Sequence, residues 1–157
     1  MIGKFISICA LSLLALPLIH PFGPVRDNRS RAALPDIPLV ERSCKNCHSE
    51  RTEWPLYSFL PGAGWLIEKD VADARRNMNL SRWAQYPSAE RMGLLASIAA
   101  EVRSHRMPPA RYTFGHPGAR LSSDEIEQIY EWTKRQRDNL RAEGINGDSA
   151  ESSFMPQ

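Results

Sequence analysis

The chain has 157 residues, of which 42% are hydrophobic and 24% charged, and its 20 Lys and Arg against 18 Asp and Glu give a formal net charge of +2. That composition suits one soluble domain with short appendages and a modest core. The charge is too small and too evenly interspersed to argue for nucleic acid or an acidic membrane surface as a partner.

Residues 1–20 open with Met1-Ile2-Gly3-Lys4 and continue as an apolar run from Phe5 to Ile19, the layout of a secretory signal. As a helix the run would span about 22 Å at about 1.5 Å per residue, short of a hydrocarbon core of about 30 Å. It would therefore cross a membrane only with help from its flanks. No small-x-small cleavage site follows it, and Cys9 lies in the middle of the run rather than at a lipid-attachment position. The segment fits a removable signal peptide or a retained N-terminal membrane anchor through residues 5–19. Both place the positive end in the cytoplasm and export the rest to the periplasm.

Residues 21–36 contain Pro21, Pro24 and Pro35 around the polar, basic stretch Arg26-Asp27-Asn28-Arg29-Ser30-Arg31, and read as an extended linker. A folded domain is expected over 37–142, followed by a disordered polar tail over 143–157.

The domain should open with a short helix near Pro38, a residue tolerated in a first helical turn. Val40, Cys44 and Cys47 then share one face at helical spacing. Cys44-Lys45-Asn46-Cys47-His48 is the C-x-x-C-H pattern of covalent haem attachment. The two thiols can add to the haem vinyl groups as thioethers, and His48 can reach the iron as its proximal ligand. A thioredoxin-like centre would need a strand-helix-strand setting, and no β-branched run precedes Cys44. Structural zinc would need four ligands, whereas Cys9 is the one other cysteine. The motif therefore predicts one haem c per chain. Covalent attachment in bacteria takes place outside the cytoplasmic membrane, so the export signal and the motif agree.

After the motif, Arg51 to Gly62 alternates prolines and aromatics with neither helical nor strand periodicity. It reads as a loop whose Trp54, Tyr57 and Phe59 cover a haem face or edge, or simply fill the core. A helix should follow from Ala63 to Asn77, with Trp65, Glu68 or Ile67, Val71, and Ala74 or Arg75 on one face. Asn79-Leu80-Ser81-Arg82-Trp83 closes it and Tyr86-Pro87-Ser88 turns. Ser88 is a suitable cap for a helix from Ala89 to about Ser104, along which Met92, Leu95, Ile98, Ala99 and Val102 form an apolar stripe. Met107-Pro108-Pro109 must end that helix. Ser122-Ser123-Asp124-Glu125 is a capping box for a last helix to about Arg141, with Leu121, Ile126, Ile129, Tyr130 and Thr133 inward and Gly144 as its stop. No repeat and no convincing strand is present, so the fold class is all-α.

The occupant of the iron's other face separates electron transfer from small-molecule chemistry. The candidates are Met78, Met92, Met107, Met155, His20, His105 and His116. Met155 and His20 belong to the chain ends, Met92 to a core stripe and His116 to a Gly-His-Pro turn. Met107 follows a helix, sits on a proline-stiffened loop and offers the thioether that raises a haem potential, which suits a carrier. Its rivals are a gap-filling role for Met107 and ligation by His105, itself placed to complement a helix dipole. Arg103, Arg106 and Arg111 lie near that loop as candidates for propionates or an acidic partner.

Taken in order, C-x-x-C-H, internal helices, Met107-Pro108 and Leu121-Ser122-Ser123-Asp124-Glu125 opening a helix with Tyr130 and Trp132 resemble a small class I cytochrome c. More specifically, several motifs together are similar to the bacterial family named for its haem-binding domain. They are Cys44-x-x-Cys47-His48-Ser49, Trp54-Pro55-x-Tyr57, Trp65, Asp70-Val71, Asn79-Leu80-Ser81-x-Trp83, Met107-Pro108-Pro109 and His116-Pro117-x-Ala119-Arg120-Leu121-Ser122. The similarity covers about residues 37 to 134. It implies an exported, often membrane-tethered mono-haem domain of the kind found beside cytochrome c and peroxidase domains. The expected function is single-electron transfer with a periplasmic or inner-membrane redox partner. The alternatives are a peroxidase-like haem enzyme with an open distal face and His105 as acid-base group, or a haem sensor or structural module.

Overall fold

The computed structural model describes residues 37–60 and 62–152, with side chains described up to residue 144. These residues form five α-helices, α1 Pro38–His48, α2 Ala63–Asn77, α3 Ser88–Arg103, α4 Ala110–Gly115 and α5 Ser123–Ser152. Short 3-10 turns lie at Leu56–Phe59, Leu80–Gln85 and Pro117–Ala119. No strand occurs among the described residues, so the all-α class expected from the sequence holds. The expected signal or anchor over 1–20 and the linker over 21–36 lie outside the described residues. Among those that are described, no helix is long and apolar enough to cross a membrane.

The described chain divides into two compact units, one comprising Asn46–Asn79, the other 37–45 together with 80–152. The second unit has an ordinary apolar interior. On α3, Leu95, Ile98, Ala99 and Val102 recur at helical spacing and are buried. They are matched on α5, which packs against α3, by Ile126, Ile129, Trp132, Thr133 and Leu140, all buried too. Enclosing a side chain such as Leu95 or Ile129 stabilises the fold by about 1.5–3 kcal/mol. Arg103, at the end of α3, pairs with Glu127 at 3.3 Å and lies with Cζ 3.9 Å from the Tyr130 ring centroid. It thereby straps the end of α3 to the first turns of α5.

The capping box forms as read: the Ser122 amide donates to Glu125 Oε2 at 2.9 Å and the Glu125 amide to Ser122 Oγ at 3.3 Å. Glu125 also accepts from Arg42 Nη1 of α1 at 2.8 Å, and Arg42 Nη2 reaches the Arg120 carbonyl at 3.5 Å. The Arg42 bond, followed by the bond from the Ser122 amide, holds the Glu125 carboxyl down at a pKa of about 2.

Three boundaries differ from the sequence reading. Ser88 does not cap α3 but is its first helical residue, with Pro87 at the cap position and no side-chain cap. The Pro87 carbonyl already accepts the Arg91 amide at 2.9 Å, so the ladder starts one residue early, and the Ser88 hydroxyl instead accepts from Arg91 Nη2 at 3.3 Å. Secondly, the stretch after Pro109, to which the sequence reading assigned no element, forms α4. Pro109 takes φ −61°, a value suited to a helix start, and its carbonyl receives the amides of Tyr112 and Thr113. Lastly, α5 runs through Gly144 to Ser152. A glycine stops a helix when it adopts positive φ; inside one it costs about 1 kcal/mol relative to Ala and is tolerated. Positive φ is used instead at Gly62, φ 79°, where the chain turns into α2.

Candidate haem-attachment site

α1 ends on the C-x-x-C-H motif. Cys44 and Cys47 are three residues apart on its last turns, which puts their Cβ atoms roughly 5–6 Å from each other. Both are partly accessible and neither is in a disulfide. His48 closes the helix. Its Nδ1 lies 3.2 Å from the carbonyl oxygen of Met78. A carbonyl can only accept, so Nδ1 carries the proton and Nε2 carries the lone pair. Burial lowers the pKa of the imidazole, outweighing the carbonyls of Met78 and Ala74, which favour the charged form. The ring is therefore held neutral, as one tautomer, with one orientation. These are the requirements of a metal-ligating histidine whose second nitrogen is fixed by a backbone carbonyl.

The Met78 carbonyl is in turn fixed by α2. Met78 leaves that helix in an extended conformation, φ −160° and ψ 126°, while its amide still donates to Ala74. One turn back, Arg75 Nε donates to the Ser49 carbonyl at 2.9 Å and Arg75 Nη2 to Thr52 Oγ1 at 2.9 Å. Thr52 Oγ1 donates onward to the Asn46 carbonyl at 2.7 Å, and Asn79 Nδ2 donates to Glu50 Oε1 at 3.1 Å. Ser49 and Thr52 are enclosed, so these bonds are made in a part-buried setting. The segment from Asn46 to Thr52 is thus tied to the end of α2 by polar contacts.

The residues present fit a covalently held haem. They supply two thiols and one neutral imidazole in fixed order, and Nε2 is the nitrogen left to bind iron. Among the described residues no group of three or more His, Cys, Asp or Glu could hold a metal ion, so a zinc centre finds no further ligands there.

The loop aromatics are less enclosed than a core role would require. Trp54 is half-buried, whereas Tyr57 and Phe59 are exposed, along with Leu56 at 89%, Leu60, Trp65 and Leu66. The phenol of Tyr57 has a raised pKa, first through burial and then through its electrostatic interaction with Cys47. Of the face expected along α2, Glu68 and Val71 are buried, each 1% exposed, whereas Trp65 is exposed.

In the second unit, Met107 is 37% exposed, and its amide donates to the Glu101 carbonyl at 3.3 Å. The peptide joining it to Pro108 is cis. His105 is exposed with φ 55°. His116 is a turn residue, as read: its ring stacks on Tyr112 at 4.3 Å and Nδ1 meets the Tyr112 carbonyl at 3.2 Å. Met78 is buried and Met92 half-buried; His20 and Met155 lie outside the described residues. Arg106 makes two bonds to Glu101, at 2.8 and 2.7 Å, and Arg103 is engaged by Glu127 and Tyr130, so both have acidic partners within the chain.

Sequence reasoning missed the polar frame of Arg75, Thr52 and the Met78 carbonyl. Periodicity places Arg75 on a face but says nothing of a bond to a backbone carbonyl 26 residues earlier. The one available signal was the Asn79-Leu80-Ser81 motif, whose three residues are all buried although two are polar.

Comparison with known proteins places the chain in a family. The chain is 31% identical over 109 residues to a cytochrome c peroxidase, Ccp, of Escherichia coli (strain K12), a match covering 63% of this chain and 22% of that protein. The chain therefore spans about a fifth of the length of this relative. No solved structure matches it. The model of the haem-binding domain family matches residues 28–135, a span that contains the attachment motif, α1 to α4 and the start of α5, and the chain belongs to that family.

Proposed function

We propose that the chain is a mono-haem c-type cytochrome-like domain that passes single electrons in the periplasm. The observation that carries this reading is the neutral His48 ring, locked by the Met78 carbonyl with Nε2 as its ligating nitrogen, directly after two accessible thiols on one helix. Cys44 and Cys47 would hold the porphyrin and His48 the iron, and the haem supplies a one-electron couple. Met107 would be the opposite ligand. Met107 is more than a third exposed, so it is not consumed by core filling, and the prolines that follow it stiffen its loop. The apolar side chains of Leu56, Tyr57 and Phe59 would lie over the macrocycle. Similarity confined to about a fifth of a peroxidase suits a shared haem module better than a complete catalytic apparatus. An uncleaved run over residues 5–19 would tether the domain beside a redox partner in or near the inner membrane.

The visible spectrum of the oxidised, covalently loaded protein tests the carrier reading. We expect a low-spin spectrum with the weak far-red band of His-Met haem, lost in Met107→Ala and kept in His105→Ala. A high-spin wild-type spectrum would favour the peroxidase-like enzyme with an open distal face.

A further inference from the structure

We propose that Arg75 is the positioning residue of the proximal ligand: through Ser49 and Thr52 it clamps the backbone after His48 to α2, whose end also supplies the carbonyl that orients the ring. This inference rests on the reading of His48 as the iron ligand and adds a residue to it.

The contacts form a closed frame. α2 touches the ligand residue's surroundings at two points within one turn of each other. The first is the Met78 carbonyl on His48 Nδ1, at 3.2 Å, which sets the plane of the ring. The second is the Arg75 side chain on the Ser49 carbonyl, at 2.9 Å, one residue past the ligand. Thr52 extends this second point: it accepts from Arg75 and donates to the Asn46 carbonyl inside the motif. A charge-assisted bond in a part-buried setting is roughly twice as strong as a neutral one, so the guanidinium is the firmest element of the frame. Arg is suited to this work because its planar fork serves two acceptors at once, which an ammonium does less rigidly. Its neighbour Arg76 has no such part, being exposed and paired with Asp73 within α2.

Loosening the frame has a defined chemical consequence. A firm Nδ1–H···O bond makes imidazole a better donor and favours ferric iron. If Arg75 lets the segment drift, that bond lengthens, ferric iron loses stabilisation, and the ring plane is no longer fixed.

The test uses the full chain with haem attached during periplasmic expression. Proton NMR of the oxidised form reads the order and spread of the haem-methyl shifts, which follow the plane of the axial ligands, and electrochemistry reads the midpoint potential. In Arg75→Ala we expect a changed methyl pattern and a higher potential. Thr52→Val should move both in the same direction by less, Arg75→Lys should restore part of the wild-type pattern, and Arg76→Ala should leave both at wild type. A merely structural role would lower the melting temperature of Arg75→Ala while pattern and potential stay put, and that result overturns the proposal. Should Arg75→Ala fail to accumulate, a wild-type pattern and potential in Thr52→Val overturn it equally. Absence of covalent haem in the wild type, seen before any variant is made, overturns the attachment reading and this inference with it.

Discussion

The two units are built by different physics. In the second, α3 and α5 enclose Leu95, Ile98, Val102, Ile126, Ile129, Trp132 and Leu140, and the polar residues that unit buries, Ser43, Ser81, Thr113 and Thr133, all carry small hydroxyls. In the first, the enclosed residues include Ser49, Thr52, Ser58, Glu68 and Asn79, while Leu56, Phe59, Leu60 and Leu66 face outward. A soluble domain ordinarily encloses its large apolar side chains more fully than this. The difference teaches that the unit carrying His48 encloses a carboxylate and an amide, Glu68 and Asn79, and leaves large apolar side chains exposed, while the other unit is organised around an apolar helix pair.

The comparison can be broken most directly by withholding the cofactor. In a Cys44→Ser/Cys47→Ser variant, amide hydrogen exchange over residues 46–79 should lose most of its protection, while the α3 and α5 amides keep theirs. Equal loss in both units would mean that they are not energetically distinct. Within the second unit, Leu95→Ala should cost about 2–5 kcal/mol by urea denaturation, because it empties a site with no exposure. A cost under about 1 kcal/mol would contradict an apolar core there.

Smaller effects sharpen the margins. Ser122→Ala removes half of the capping box and should cost about 1 kcal/mol. The bonds of Glu125 to Arg42 and Ser122 give a pH signature. Its folded pKa, about 2, lies below the unfolded value of about 4.3. The contribution is therefore whole above the unfolded pKa and is lost as pH falls from there toward 2. Glu125→Gln should flatten the stability profile in that window, and an unchanged acid limb would contradict the pairing.

Much of this was legible in the sequence, for reasons that differ by region. α2 is found where its periodicity puts it, α1 where Pro38 and the motif put it, and the Ser122–Glu125 box forms both of its bonds. In each case local chemistry and tertiary packing point the same way. Ser88 misled because Pro87 offers its carbonyl one position earlier. α4 was missed because Pro109 reads as a breaker when it is a start, and Gly144 because a stop signal needs a backbone turn that the residue does not enforce. For the site, the Cys44, Cys47 and His48 motif was legible because a fixed spacing encodes it. The polar frame was not, since bonds such as that from Arg75 to the Ser49 carbonyl depend on the fold and leave no periodic trace.

The central claim is that Cys44 and Cys47 carry one haem with His48 as its proximal ligand. Intact mass spectrometry of the denatured, periplasmically expressed chain tests it most directly. The account predicts a mass increased by that of one haem, reduced to the bare polypeptide in Cys44→Ser/Cys47→Ser. A wild-type chain with no added haem mass, under conditions that load a control cytochrome c, would contradict it.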